Sequence, residues 1–423
     1  MSVELYEWQK PSAESLLASL RENHIAADWS ETGTGKTAKA VWIAKMLGKP
    51  VAIICPKAVI PAWREWCQRA EIEPTFILNY EKLRAGSTPY GDFVSGAWVW
   101  SKPIVFDQLF IWDEVHKCKG PSSLNGKMLI ASRPFYTLML SATFASNPLD
   151  MRSTGYLLGL HGYHDFYKWC IQNGVKKAPW GALAYFGGKK KLSAIHQAMG
   201  DKASRIKIDE LGEAFPDNET YAEAYDCGDV QGIYDDLQQK LADLERSKAS
   251  DKPHPMTEIL RARQEAELVR VPVITELAQS LLDEDKSVVI FCNFRNSLDS
   301  LSSNFNSNCS MIWGGQSEEE RTESITQFQQ NINSVMLCQI QSGGVGVSLH
   351  DLHGKPRSSL ICPTYSAIDL KQALGRIHRA GAKSKAVQRI VFAAGSIEER
   401  VMKKVRAKLR NIETLNDGDI ETI

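Results

Sequence analysis

Ser30-Glu-Thr-Gly-Thr-Gly-Lys-Thr37 is the stretch on which the reading of this chain turns. It stands between a short apolar run at 25–29 and a helical pattern at 37–47. A strand, a glycine loop and a helix in that order make a phosphate cradle. Gly33 and Gly35 let the backbone curl so that several N–H groups point inward, and the helix adds its positive end. Lys36 is then expected to reach the β- and γ-phosphates, and the Thr37 hydroxyl to hold Mg²⁺. Thr32 and Thr34 complete the loop. The strict pattern has glycine at its first position; here Ser30 occupies it, a small residue that still fits a tight turn.

Working outward, short apolar runs alternate with longer amphipathic ones, the mark of β-α units on a parallel sheet. Strands are expected at 25–29, 51–55, 110–112 and 137–140, with helices at 37–47 and 60–70. The second half repeats the style. Strands are expected there at 287–292, 311–313, 334–338, 359–362 and 388–392, and helices at 296–305, 318–329 and 367–378. Between the halves, roughly 150–285, the pattern is helical and polar, punctuated by Pro216, Pro253 and Pro255. The fold class expected is α/β: two parallel-sheet lobes with a helical insertion between them. The divisions are 1–150, 151–270 (insertion and linker) and 271–423.

A second acidic motif follows a strand: Ile111-Trp-Asp-Glu-Val-His116. A carboxylate pair at a strand's C-terminal end faces the ligand crevice of a parallel sheet. Asp113 is expected to orient the magnesium, Glu114 to act as general base on water, and His116 to sense the nucleotide. In the second half, Gln372-Ala-Leu-Gly-Arg-Ile-His-Arg379 lies on an expected helix. There Gln372, Arg376 and Arg379 would share one face at i, i+4 and i+7. Two guanidinium groups suit the spread charge of a γ-phosphate in its transition state.

This ordered set resembles the superfamily 2 helicases, and more narrowly the double-stranded DNA translocases of Swi/Snf type. Ile53-Ile-Cys-Pro-Lys-Ala-Val-Ile-Pro-Ala-Trp63 is similar to that family's motif Ia, and Leu140-Ser-Ala-Thr143 to motif III. Val289-Ile-Phe-Cys-Asn-Phe-Arg295 resembles motif IV, and Ser342-Gly-Gly-Val-Gly-Val347 the glycine-rich motif V. The stretch 116–123 looks like the family's extension of its acidic box. Residues 192–199, followed by the basic 204–216, are most like the annealing-helicase (HARP-like) branch. The resemblance runs from Trp8-Gln9 to about Leu409. Two departures stand out. Motif III reads Ser-Ala-Thr where Thr-Gly-Thr is common, and Ser348 replaces the usual asparagine after the glycines.

The resemblance implies two RecA-like lobes, ATP and Mg²⁺ as cofactors, and double-stranded or branched DNA as partner. It implies that Gln9 meets the adenine, and that Lys57, Trp63, Asn293, Arg295, Ser342 and Gly343 lie near the nucleic acid. From the residues alone, Trp63 equally fits a core anchor. Three functions are to be told apart: a duplex translocase that remodels or anneals DNA, a strand-separating DNA or RNA helicase, and a non-travelling ATP-dependent assembly switch.

Composition constrains the rest. At 423 residues, 43% hydrophobic and 24% charged, the chain reads as globular with more than one domain. No apolar run reaches the roughly 18–20 residues of a membrane span. The start, MSVELYEWQK, lacks a secretory pattern. Nine scattered cysteines without a C-x-x-C pair fit reduced thiols in a cytosolic compartment, and the compact size suggests a bacterial or phage-infected cytoplasm. A monomer is expected. The 50 basic and 50 acidic residues give no overall basic excess, which a nucleic-acid binder often shows. Positive charge is instead local, at Lys189-Lys190-Lys191 and from Arg400 to Arg410. Gly187-Gly188, before the triplet, is expected to form a mobile loop that touches DNA.

Overall fold

Apolar runs such as Val51–Cys55, Leu109–Asp113, Ser287–Cys292 and Val335–Gln339, nearly all buried, form central strands of two separate parallel sheets, as burial on both faces requires. The computed structural model describes residues 3–86, 88–120, 122–143, 145–178, 181–208, 210–211, 215, 218–246, 254–306, 308–343 and 347–417. Residues 121, 209, 212–214, 216, 253 and 344–346, included in the readings above, lie outside these. The chain divides into two units, Met1–Leu211 with Lys408–Ile423, and Gly212–Ala407.

The first unit carries β1 (Ile25–Asp28), β2 (Val51–Cys55), β3 (Phe76–Asn79), β4 (Gly91–Val94), β5 (Ala97–Trp100), β6 (Leu109–Asp113), β7 (Tyr136–Leu140), β8 (Val175–Lys177), β9 (Leu183–Tyr185) and β10 (Ala203–Ser204). Six of them build one sheet in the order β10-β1-β7-β6-β2-β3, every pairing parallel. The pairs β4-β5 and β8-β9 are separate antiparallel hairpins. One face of the sheet packs a core of Trp29, Phe110, Trp112, Met128 and Met139. The helix Lys36–Leu47 turns Ala40, Val41, Ile43 and Ala44 inward and stops at Gly48, whose φ of 65° suits a residue without Cβ.

The second unit carries β11 (Asn218–Tyr225), β12 (Ser287–Cys292), β13 (Cys309–Ile312), β14 (Val335–Gln339), β15 (Arg357–Ile361) and β16 (Ala386–Ala393). They form a second parallel sheet in the order β11-β16-β15-β12-β14-β13. Its core joins Val288, Ile290, Leu337, Leu360 and Val391 to Leu298 and Leu301 of the helix Arg295–Phe305. A second cluster packs the helices Val230–Arg246 and Pro255–Val269 through Tyr234, Leu237, Ala262 and Ala266.

The expected α/β class holds, with two parallel-sheet lobes. The stretch read as helical is more mixed. It includes the hairpin β8-β9, and its strands β10 and β11 each become an edge of one large sheet. β11 begins with three polar residues, mixes polar with apolar ones after them and has no residue fully buried, so it presents no apolar run to read. The helix expected over 367–378 ends at Leu374, where Gly375 caps it, so Arg376 and Arg379 lie in the turn beyond. All nine cysteines are free thiols. Among the described residues, no helix is long and apolar enough to cross a membrane.

Candidate active site

In the first sheet β1, β7 and β6 are neighbours, and register sets Asp28 beside Leu140 and Leu140 beside Asp113. The glycine loop, the Ser-Ala-Thr stretch and the acidic pair therefore leave the sheet side by side from their strands' carboxyl ends. That is where open α/β sheets bind ligands.

The loop is shaped by its glycines. Gly33 has φ 94° and Gly35 φ 75°, both in the left-handed region. A Cβ on Gly35 would stand 2.3 Å from Gln9 Nε2. Gln9 is buried, donates to Thr34 O at 2.8 Å and accepts from Tyr6 N–H at 3.0 Å. Its amide therefore fastens the loop, whatever it does toward a base. Thr34 Oγ1 donates to Glu31 O at 2.8 Å. Thr32 and Thr37 are half-buried on the loop and the first turn of its helix. Lys36 Nζ donates to Ser30 O at 2.8 Å and Glu31 O at 3.0 Å. Burial brings the Lys36 ammonium down to about 8 against the pull of Asp28 and Glu114.

At the end of β6 the backbone turns sharply through Glu114, with φ 54° and ψ 50°. A non-glycine residue there costs about 1–2 kcal/mol, strain of the kind that collects at functional sites. Asp113 is held on three sides. Trp63 Nε1 donates to Oδ2 at 2.9 Å, Glu114 N–H to Oδ1 at 2.9 Å, and Tyr80 Oη to the carbonyl at 2.7 Å. Burial, and then the Glu114 carboxylate, push Asp113 up to about 6, while Trp63 and Lys36 oppose the rise. His116 Nδ1 lies 3.2 Å from Glu114 Oε2 and 3.2 Å from Ser141 Oγ, and Ser141 Oγ accepts from Thr143 N–H. The acidic pair and the Ser-Ala-Thr stretch thus share one hydrogen-bonded imidazole.

In the second unit Gln372 is buried on the helix Ala367–Leu374, with its Nε2 lacking a partner among the described residues. Arg376 Nη1 and Arg379 Nη2 both donate to Val347 O, at 3.3 and 2.9 Å, and Arg379 Nη1 donates to Ser348 Oγ at 2.8 Å. Both guanidiniums are oriented by the irregular segment at 347–348 that follows the glycine-rich stretch. Ser348, the departure noted in the sequence, is one of those anchors.

The residues expected near nucleic acid separate on inspection. Lys57 is exposed at the start of the turn Lys57–Val59. Trp63 is fully buried and its indole N–H donates to Asp113, a packing that matches the core alternative. Asn293 Nδ2 donates to Glu267 Oε2 at 2.6 Å and to Pro363 O at 2.9 Å. The Arg295 guanidinium pairs with Asp299 at 2.8 Å and lies 3.9 Å over the Trp313 ring. Ser342 and Gly343 end the helix Ile340–Gly343. Asn293, Arg295, Trp313, Ser342 and Gly343 all follow the carboxyl ends of β12, β13 and β14, which are neighbours.

Several residues escaped sequence reading: Asp28, Lys39 and Ser12 behind the loop, Tyr80 beneath Asp113, Glu267 beneath Asn293, and Trp313. Only Lys39 left a signal, as a lysine within the apolar face Ala38, Ala40 and Val41 of its helix.

Comparison with known proteins bears on these geometries. The helicase conserved C-terminal domain matches residues 272–381. A protein of Acanthamoeba polyphaga mimivirus named "Putative ATP-dependent RNA helicase L364" is 34% identical over 461 residues, covering 99% of this chain and 85% of that protein. The solved structure "Sulfolobus solfataricus SWI2/SNF2 ATPase core in complex with dsDNA" is 17% identical, with a TM-score of 0.39, covering 98% of this chain and 94% of that one. At 34% identity over 99% of this chain and 85% of the viral relative, with the helicase C-terminal domain matched in its second half, the chain belongs to the ATP-dependent helicases and is an ATP-using, nucleic-acid-dependent ATPase.

Proposed function

We propose that the protein is a motor that hydrolyses ATP to move along, anneal or otherwise remodel duplex or branched DNA. The observation that carries the ATP chemistry is the row of strand ends joining Lys36, Asp113 and Glu114, with His116 bridging Glu114 and Ser141. In this reading the loop amides and Lys36 take the phosphates, which compete with the Ser30 and Glu31 carbonyls for the ammonium. Thr37 and Asp113 hold Mg²⁺. One hydroxyl and one carboxylate suit an ion that keeps several waters and phosphate oxygens as ligands. The ion would neutralise charge developing on the phosphates. Glu114 takes a proton from the attacking water. Gln9 keeps its place beside the loop and meets the adenine edge.

Gln372, Arg376 and Arg379 are proposed to meet the γ-phosphate. A guanidinium carries five donors in a fixed fork, so ties to Val347 and Ser348 orient it toward a ligand. Lys57, Asn293, Arg295, Ser342 and Gly343 are proposed to hold the nucleic-acid backbone, which positions without reading sequence. The functional divisions are 1–150, 151–270 and 271–423, in a monomer working in a bacterial or phage-infected cytoplasm.

The viral relative's name favours a second reading, an RNA helicase. One experiment separates the readings: ATPase rate with duplex, forked and single-stranded DNA and with matched RNA, together with triplex displacement. Greatest stimulation by duplex or forked DNA with ATP-dependent triplex release supports the proposal. Stimulation by RNA with strand separation supports the alternative. ATP binding without displacement of any kind returns the assembly switch.

A further inference from the structure

Lys39 lies three residues beyond the phosphate lysine, on the inward side of its helix, and neither it nor Asp28 is exposed at all. Lys39 Nζ stands 2.8 Å from Asp28 Oδ2. A buried ion pair loses more in dehydration than attraction returns unless its remaining hydrogen-bonding capacity is met. Here it is met by serines. Lys39 Nζ also donates to Ser30 Oγ at 2.9 Å and Ser12 Oγ at 3.1 Å, which engages all three ammonium hydrogens. Burial alone would raise the Asp28 carboxyl, yet Lys39 and Lys36 hold it below its ordinary value.

Ser30 is the hub. Its N–H donates to Asp28 Oδ1 at 3.0 Å, and its hydroxyl oxygen also accepts from Ile206 N–H at 3.0 Å. The same segment is fastened on both sides of that bond. Trp29 N–H donates to Ser204 O at 2.9 Å, Glu31 N–H to Ile206 O at 3.0 Å, and Ile208 N–H to Glu31 Oε2 at 2.9 Å. Arg205 donates to Trp29 O at 2.6 Å and pairs with Glu31 at 3.4 Å. The phosphate loop is thus laid along residues 204–208, shortly before the chain leaves the first unit at Leu211. A glycine at position 30, which the strict loop pattern asks for, would remove an acceptor from both Lys39 and Ile206.

We propose that Ser30 and Lys39 are positioning residues for the phosphate loop, fixing the carbonyls that hold Lys36 by tying them to the segment 204–208. The inference rests on the ATP reading above and concerns where the phosphates are received, not the chemistry on them. Neither side chain is required to touch the nucleotide.

The test is steady-state ATPase of the full chain with saturating nucleic acid, alongside thermal melting. Ser30→Ala is expected to raise KM for ATP about ten-fold and leave kcat within about two-fold. That split marks lost uniform binding of ground and transition states. Ser30→Thr, which keeps the hydroxyl, should bring KM back to within about three-fold of wild type. Glu31→Ala, at a partly exposed position, removes the acceptor of Ile208 N–H and should raise KM about three-fold. If Ser30→Ala fails to fold, Glu31→Ala decides alone. Wild-type KM in the variants that fold, or a fall in kcat without a rise in KM, overturns the proposal. A wild-type enzyme that turns over ATP beside an inactive Lys36→Ala shows that the ATP reading stands even then. No turnover by wild type with any nucleic acid sinks both.

Discussion

Gly35→Ala tests the loop at its narrowest point. Alanine at φ 75° costs about 1–2 kcal/mol in the left-handed region. Its Cβ would lie 2.3 Å from Gln9 Nε2, so the amide must leave and the bond to Thr34 O is lost, about 1 kcal/mol more. The total of roughly 2–3 kcal/mol corresponds to nucleotide binding weakened about 30- to 150-fold. Gln9→Ala alone should cost about 1 kcal/mol, through the same bond. In the Gln9→Ala background the collision is gone, and Gly35→Ala should cost only its backbone strain. The two changes together should therefore cost about 1 kcal/mol less than the sum of the singles. Titration with a fluorescent ATP analogue measures all four corners of the cycle, and urea unfolding checks that each variant is native. Strict additivity would show that Gln9 does not hold the loop. A Gly35→Ala protein that binds like wild type would refute the loop geometry outright.

Glu114→Gln should bind ATP while turnover falls about 10²- to 10⁴-fold, the usual contribution of a general base; ordinary turnover removes Glu114 from that role. Arg376→Ala should slow hydrolysis by about 10³-fold or more while sparing nucleotide affinity better than Lys36→Ala does, in single-turnover and binding assays. The kcat/KM for ATP should decline as pH rises through about 8, because the free enzyme's Lys36 loses its proton there and the phosphates need the charged form. Lys36→Arg should move that limb upward, and an unmoved limb would point to another group. Replacing Lys189, Lys190 and Lys191 with alanine should lower nucleic-acid-stimulated ATPase more than basal ATPase, with the gap closing as salt rises; equal loss of both would make the triplet an ordinary solvated surface.

Much of the site was legible because its chemistry is local. Residues 30–37 form a glycine loop between a strand and a helix, as the sequence led us to expect, since glycine conformation and helix polarity act over a few residues. Asp113 and Glu114 were legible for the same reason, at the end of the apolar run Leu109–Asp113. The environment of Trp63 was not legible in the sequence. Its ring has no exposure, and only a partner 50 positions away in sequence, Asp113, shows what it does. The expected helix through Arg379 overran for a related reason. Gly375 ends it and the backbone of residues 347–349 captures both arginines, a long-range bond that periodicity cannot register.

The sequence by itself determined the two-sheet class, the glycine loop and the carboxylate pair at a strand end, because each depends on neighbours along the chain. The tertiary structure alone decided that Ser30 is more than a small residue in a turn. Its hydroxyl gains meaning from Lys39, Asp28 and Ile206, and the last of these arrives from 176 positions away. A buried ammonium must find three acceptors wherever the fold supplies them. No local pattern records which segments will come to meet it.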